Sequence, residues 1–134
     1  MESRSLPGLV NIFKPPSIIA GFFFGIITNM ALDENLIREI VRRILNVVKP
    51  DRIILFGSAV AGTMNRDSDI DLLILERTPV EISARRMAVR KNLRGLGFPF
   101  DILIMSTERF EETKDVIGGI AYPANKYGRI IYEL

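Results

Sequence analysis

Asp69 and Asp71 stand two residues apart at the head of the apolar run Leu72-Leu73-Ile74-Leu75, and ten residues separate Asp69 from the pair Gly57-Ser58. A short apolar run bounded by Gly and Asp/Ser signals reads as a buried strand. Side chains alternate along a strand, so both carboxylates point to one face, about 7 Å apart at Cα, and Ile70 points the other way into a core. Like charges held side by side raise each other's pKa, a strain that a bound cation relieves. Gly57-Ser58 follows a second apolar run, Ile53-Ile54-Leu55-Phe56, and Ala59-Val60-Ala61 after it has the composition of a short helix. Backbone N–H groups at such a start favour an anion, and glycine lets a phosphate approach closely. A third carboxylate, Asp101, interrupts the apolar stretch Phe98–Met105. A lone charge in a buried strand needs compensation. Capping by backbone donors at a strand edge would supply it; so would a place beside Asp69 and Asp71, where the three carboxylates would converge.

The elements that must position these residues follow from periodicity. Leu32 to Val48 reads as a helix, with Ile37, Val41, Ile44 and Val48 on one face and Leu36, Ile40 and Leu45 flanking it. Asp33 and Glu34 suit its first turn, and Pro50 ends it. Glu81 to Leu96 reads as a second helix with Ile82, Met87 or Ala88, and Leu93 inward. Its Arg85, Arg86, Arg90, Lys91 and Arg94 form a solvated face or a surface for an acidic partner or RNA. Phe98 to Met105 is a third strand. Ser106 or Thr107 caps a short helix reaching about Ile117, Ala121 to Asn125 is a loop, and Gly128 to Tyr132 is a last strand. Three helices and about four strands in this order predict an α/β (α+β) fold, a small mixed sheet with helices packed mainly on one face.

Composition narrows the chemistry. At 134 residues the chain is long enough for one domain with a real core. There is no Cys and no His, which removes disulfides, thiolate and imidazole metal sites, and every His-based triad or general base. Any metal must sit on oxygen ligands, which suits Mg²⁺ or Mn²⁺. A net charge of +2 does not announce a nucleic-acid binder. The longest apolar run, Ser17–Thr28, is too short to span a bilayer, and Asn29-Met30-Ala31 after it is a poor signal-cleavage site. Residues 1–31 differ from the rest, with three of the prolines and Phe22-Phe23-Phe24. They read as an N-terminal extension ahead of a start at Met30, or as an apolar arm, and residues 32–134 as the domain.

Gly57-Ser58, ten residues, then Asp69-x-Asp71 resembles the signature of the DNA polymerase beta-like nucleotidyltransferase superfamily. Length and the ending Gly128 to Glu133 are similar to its minimal nucleotidyltransferase (MNT) group, and Asp101 to Glu108 looks like the strand and helix that carry that family's third carboxylate. The resemblance covers Leu32 to Leu134 and implies the nucleotidyltransferase fold. It implies that Gly57 and Ser58 hold the β and γ phosphates of ATP and that Asp69, Asp71 and Asp101 bind two Mg²⁺ ions, with Asp101 helping to deprotonate the attacking hydroxyl. Many relatives carry Arg where this chain has Ala59 and Ala61; Arg66 in the loop is the candidate substitute. The implied partner is a HEPN-domain RNase toxin, which the MNT protein modifies by transferring AMP to a tyrosine. On this reading the protein is a cytoplasmic antitoxin that does not act directly on nucleic acid, and oligomers are open to it. A non-catalytic antitoxin acting by binding, and a transferase for an aminoglycoside-like alcohol, are the alternatives.

Overall fold

The computed structural model describes residues 32–65 and 67–134; the expectations for residues 1–31 and for Arg66 lie outside the described residues. Helix α1, Glu34–Leu45, buries Ile37, Ile40, Val41 and Ile44 along one stripe. Asp33 sits at its N-cap and Glu34 in its first turn, with Arg42 and Arg43 in its last, each sign matching the helix dipole. The chain leaves the helix at Leu45, ahead of Pro50, and Val48 still inserts into the core.

Strand β1, Arg52–Phe56, runs into helix α2, Ser58–Ala61, through Gly57. Strand β2, Ile70–Glu76, returns antiparallel to β1. Helix α3, Ile82–Asn92, then crosses to strand β3, Phe100–Ser106, which lies parallel to β2. Helices α4, Thr107–Thr113, and α5, Ala121–Tyr127, precede strand β4, Arg129–Glu133, antiparallel to β1. The sheet order is β3-β2-β1-β4. One parallel pair in an otherwise antiparallel sheet is the expected mixed α+β arrangement, here with five helices among the described residues.

The larger core joins α1 and α3 to one face of the sheet through Ile53, Leu55, Ile70, Leu72, Ile74, Ile102 and Ile104. On the other face Ile54, Leu73 and Leu75 meet Phe110 of α4 and Ala121 and Ala124 of α5 in a smaller cluster. Helices therefore weigh mainly on one face, and α4 and α5 cover part of the second. The inward stripe of α3 differs from expectation. Val89 and Leu93 are buried with Ile82 half-buried, whereas Met87 is 66% exposed and Ala88 faces outward. The stripe runs through Ile82, Arg85/Arg86 and Val89 because Arg85 reaches down to a buried carboxylate, Glu76. A second difference is α5, expected as a loop. Pro123 falls in its first turn, where a missing N–H removes no helical hydrogen bond.

Candidate active site

The site forms at the end of the sheet where β1 finishes and β2 and β3 begin. Parallel pairing sets Asp71 directly beside Asp101, with Ile70 beside Phe100 and Leu72 beside Ile102. Ile70 is fully buried on the α1/α3 side, so Asp71 stands on the opposite face. Asp101 shares that face, in alternation with Ile102, and is exposed. The strand around Asp101, expected to be buried, is an edge strand of the described sheet, and Asp101 lies at its open start. Solvent access is what makes an acid tolerable there.

Asp71 is pressed from several sides. Its carboxyl titrates above the usual carboxylate range, first because it is partly buried, then because of the charges of Asp101 and Asp69 and a hydrogen bond with Asp101. A hydrogen bond between two carboxyl groups needs a proton on one of them. Among the described residues none of the three acids has an ion-pair partner within 4 Å. The three do not close into a single metal-gripping cluster there. Asp71 and Asp101 are the pair, and Asp69 is near enough for Asp71 to feel its charge. An all-oxygen donor set whose charges repel fits a hard divalent cation. Asp71 and Asp101 would hold it between them, with Asp69 alongside.

Gly57 touches the same carboxylate. It has φ +78° and ψ −151°, a conformation only glycine adopts readily, and a Cβ there would collide with Asp71 Oδ2 and lie 3.1 Å from its Cγ. The turn thus brings the backbone of Gly57 and the start of α2, with half-buried Ser58, against the acid pair. The loop from α2 to β2 is folded. Met64 is buried, and the Asn65 side-chain oxygen accepts the Asp67 N–H at 2.8 Å and the Ser68 hydroxyl at 3.2 Å. Ser68 Oγ in turn accepts the Asn65 N–H at 2.9 Å. These bonds deliver Asp69 to the head of β2.

Two features were not legible from the motif. Ala59 is wholly buried in the larger core, where it fills space beneath the turn; Ala61 is exposed. Phe56 lies directly across from Asp71 on β1 and is half-buried on the carboxylate face, where it edges the smaller core. Alternation from Ile54 was the available signal for it.

No curated protein matches the chain significantly. Among solved structures, a toxin–antitoxin crystallised with AMP-PNP superposes with a TM-score of 0.57 at 22% identity, covering 77% of this chain and 75% of that one. A variant of the toxin–antitoxin MntA–HpeT gives a TM-score of 0.57 at 20% identity over the same shares. These likenesses concern the fold. The profile of the family described as nucleotidyltransferase domain matches residues 35–122, a span that holds Gly57, Ser58, Asp69, Asp71 and Asp101. The chain belongs to the nucleotidyltransferase domain family.

Proposed function

We propose that this protein is a Mg²⁺-dependent adenylyltransferase and an antitoxin, transferring AMP from ATP to a tyrosine of a HEPN-type RNase toxin. The observation that carries the reading is the pairing of Asp71 with Asp101 beside the strained Gly57 turn, with Asp69 adjacent. Family membership supports nucleotidyl transfer. The two toxin–antitoxin neighbours, one crystallised with AMP-PNP, support an adenine nucleotide and a protein partner.

In this reading Gly57 and Ser58 take the β and γ phosphates, the glycine by leaving its backbone open and the serine by its hydroxyl. Asp69, Asp71 and Asp101 hold the divalent ions, which when bound neutralise charge on the triphosphate and lower the pKa of the attacking hydroxyl. Asp101, exposed on the edge strand, accepts the tyrosine proton. The phenolic oxygen bonds to the α-phosphorus as the bond from that phosphorus to the bridging oxygen breaks, and pyrophosphate leaves with the electron pair. With no His in the chain, a carboxylate is the natural base.

The test is co-expression with the toxin encoded alongside, followed by intact-mass measurement. The reading expects the toxin to gain one or more AMP units, and Asp69→Asn or Asp71→Asn to lower that transfer by about 10³-fold, several kcal/mol of charge stabilisation. Toxin rescue by Asp71→Asn with no added mass would instead mark an antitoxin acting by binding. Labelled nucleotide appearing on a small alcohol without protein would point to the aminoglycoside-like acceptor.

A further inference from the structure

A cavity of about 360 Å³ opens at the other end of the sheet, lined by Val47, Val48, Lys49, Glu76, Arg77, Thr78 and Arg85. It lies where β2 ends, five residues along the strand from Asp71. Glu76 continues the alternation of Ile70, Leu72 and Ile74, so it faces α3 and the sheet face opposite the carboxylates. Three cations and one acid line the wall. The acid is already committed: Glu76 is buried, its side chain 5% exposed, and both its oxygens accept from Arg85 Nη1, at 2.8 and 2.9 Å. A single guanidinium nitrogen serves that carboxylate, which leaves the Nε and Nη2 donors of Arg85 for another acceptor. Lys49 and Arg77 are exposed and make no ion pair among the described residues. The Thr78 side chain completes the rim.

We propose that this cavity binds a compact phosphoanion, at a site separate from the carboxylate centre. The Glu76–Arg85 pair fixes one guanidinium against the wall, and Lys49 and Arg77 supply the mobile positive charge that closes on the ligand. The charge left after Glu76 is satisfied matches a doubly charged phosphate group. The volume admits pyrophosphate or the terminal phosphate of a nucleotide chain. Guanidinium donors recognise such oxygens by paired hydrogen bonds. Divalent metal has no part in it, because the wall's one carboxylate is occupied by Arg85. The cavity also differs from the carboxylate centre in face and in end of the sheet, so its ligand can bind while that centre is engaged.

The experiment is calorimetric titration of the full chain in EDTA, with pyrophosphate in one arm and a 5′-phosphorylated oligoribonucleotide in the other. EDTA silences metal-dependent triphosphate binding, so the result is independent of the proposed adenylyl transfer. The expected result is saturable binding that weakens at least tenfold in Lys49→Ala/Arg77→Ala and is unchanged in Asp71→Asn. Binding in the pyrophosphate arm alone identifies a free anion as the source, and binding in the oligonucleotide arm alone, lost when its 5′-phosphate is removed, identifies a strand end. No binding in either arm, or binding indifferent to the double substitution, overturns the proposal. Both replaced side chains are exposed, and circular dichroism melting confirms that the variant is folded.

Discussion

Gly57 answers to two constraints at once, a backbone conformation closed to other residues and a neighbouring carboxylate that occupies the space of a Cβ. Gly57→Ala is expected to lower stability by about 1–3 kcal/mol, the usual cost of such backbone strain, and to abolish transfer by displacing Asp71. Chemical denaturation and the mass assay check the two effects separately. Asp71 itself predicts a pH dependence. Its folded-state pKa lies above the unfolded value, so its contribution to stability is full below the unfolded carboxylate range and lost as pH rises through the folded pKa. In metal-free buffer at neutral pH, Asp71→Asn should therefore be the more stable protein, by about 0.5 kcal/mol once solvent screening of this half-exposed group is discounted. The gap should close as pH falls toward 4, and denaturation midpoints across pH measure it. The acids themselves were plain in the sequence, since Asp-x-Asp spacing maps directly onto one strand face. The close approach of Gly57 to Asp71 was not, because it depends on the pairing of two strands thirteen residues apart.

At the scale of elements, the helix dipole and local pairs decide how α1 behaves. Glu39 accepts from Arg42 and Arg43 at 2.6 to 3.2 Å, and those bonds hold its carboxyl down at about 2. A lowered pKa stabilises above the unfolded value and is lost as pH falls through the folded one, so Glu39 supports α1 from about pH 4.5 upward. Glu39→Gln should therefore be less stable than the parent at pH 7, by a small margin for so exposed a pair, and the difference should vanish as pH falls from about 4.5 toward 2, as thermal melts at stepped pH would show. On the other face α4 is held by Phe110, buried against Ile54, Leu73 and Leu75 and with the Arg52 guanidinium 5.8 Å from its ring centroid. Phe110→Ala should cost about 3–5 kcal/mol by leaving a cavity, visible as an early denaturation midpoint. Periodicity made α1 and the strand cores readable, because their apolar residues repeat at one period. The inward face of α3 escaped it, since Arg85 counts as polar in a pattern yet reaches a buried acid. Pro123 hid α5, because a proline signals a break unless its place within the first turn is known.

The molecule as a whole divides its sheet between two tasks. One face is sealed by α1 and α3; the other is covered by α4 and α5 toward one end, and its carboxylates stand at the opposite end. With Leu32 buried at the start of this arrangement, we expect residues 32–134 expressed alone to melt cooperatively, a result that scanning calorimetry tests. The acid pair depends on a single parallel alignment, Asp71 against Asp101, reached through a crossover of more than twenty residues. An insertion at the exposed Gly95 or Gly97, in the irregular link between Asn92 and Phe100, is expected to lengthen that link and leave the alignment in place. Removing one residue from within β3 has another outcome: alternation turns over, Asp101 rotates beneath the sheet, and an isoleucine or phenylalanine takes its position. The gene for this protein should therefore tolerate added length in the link at Gly95 and Gly97 and resist changes of length within the codons of β3.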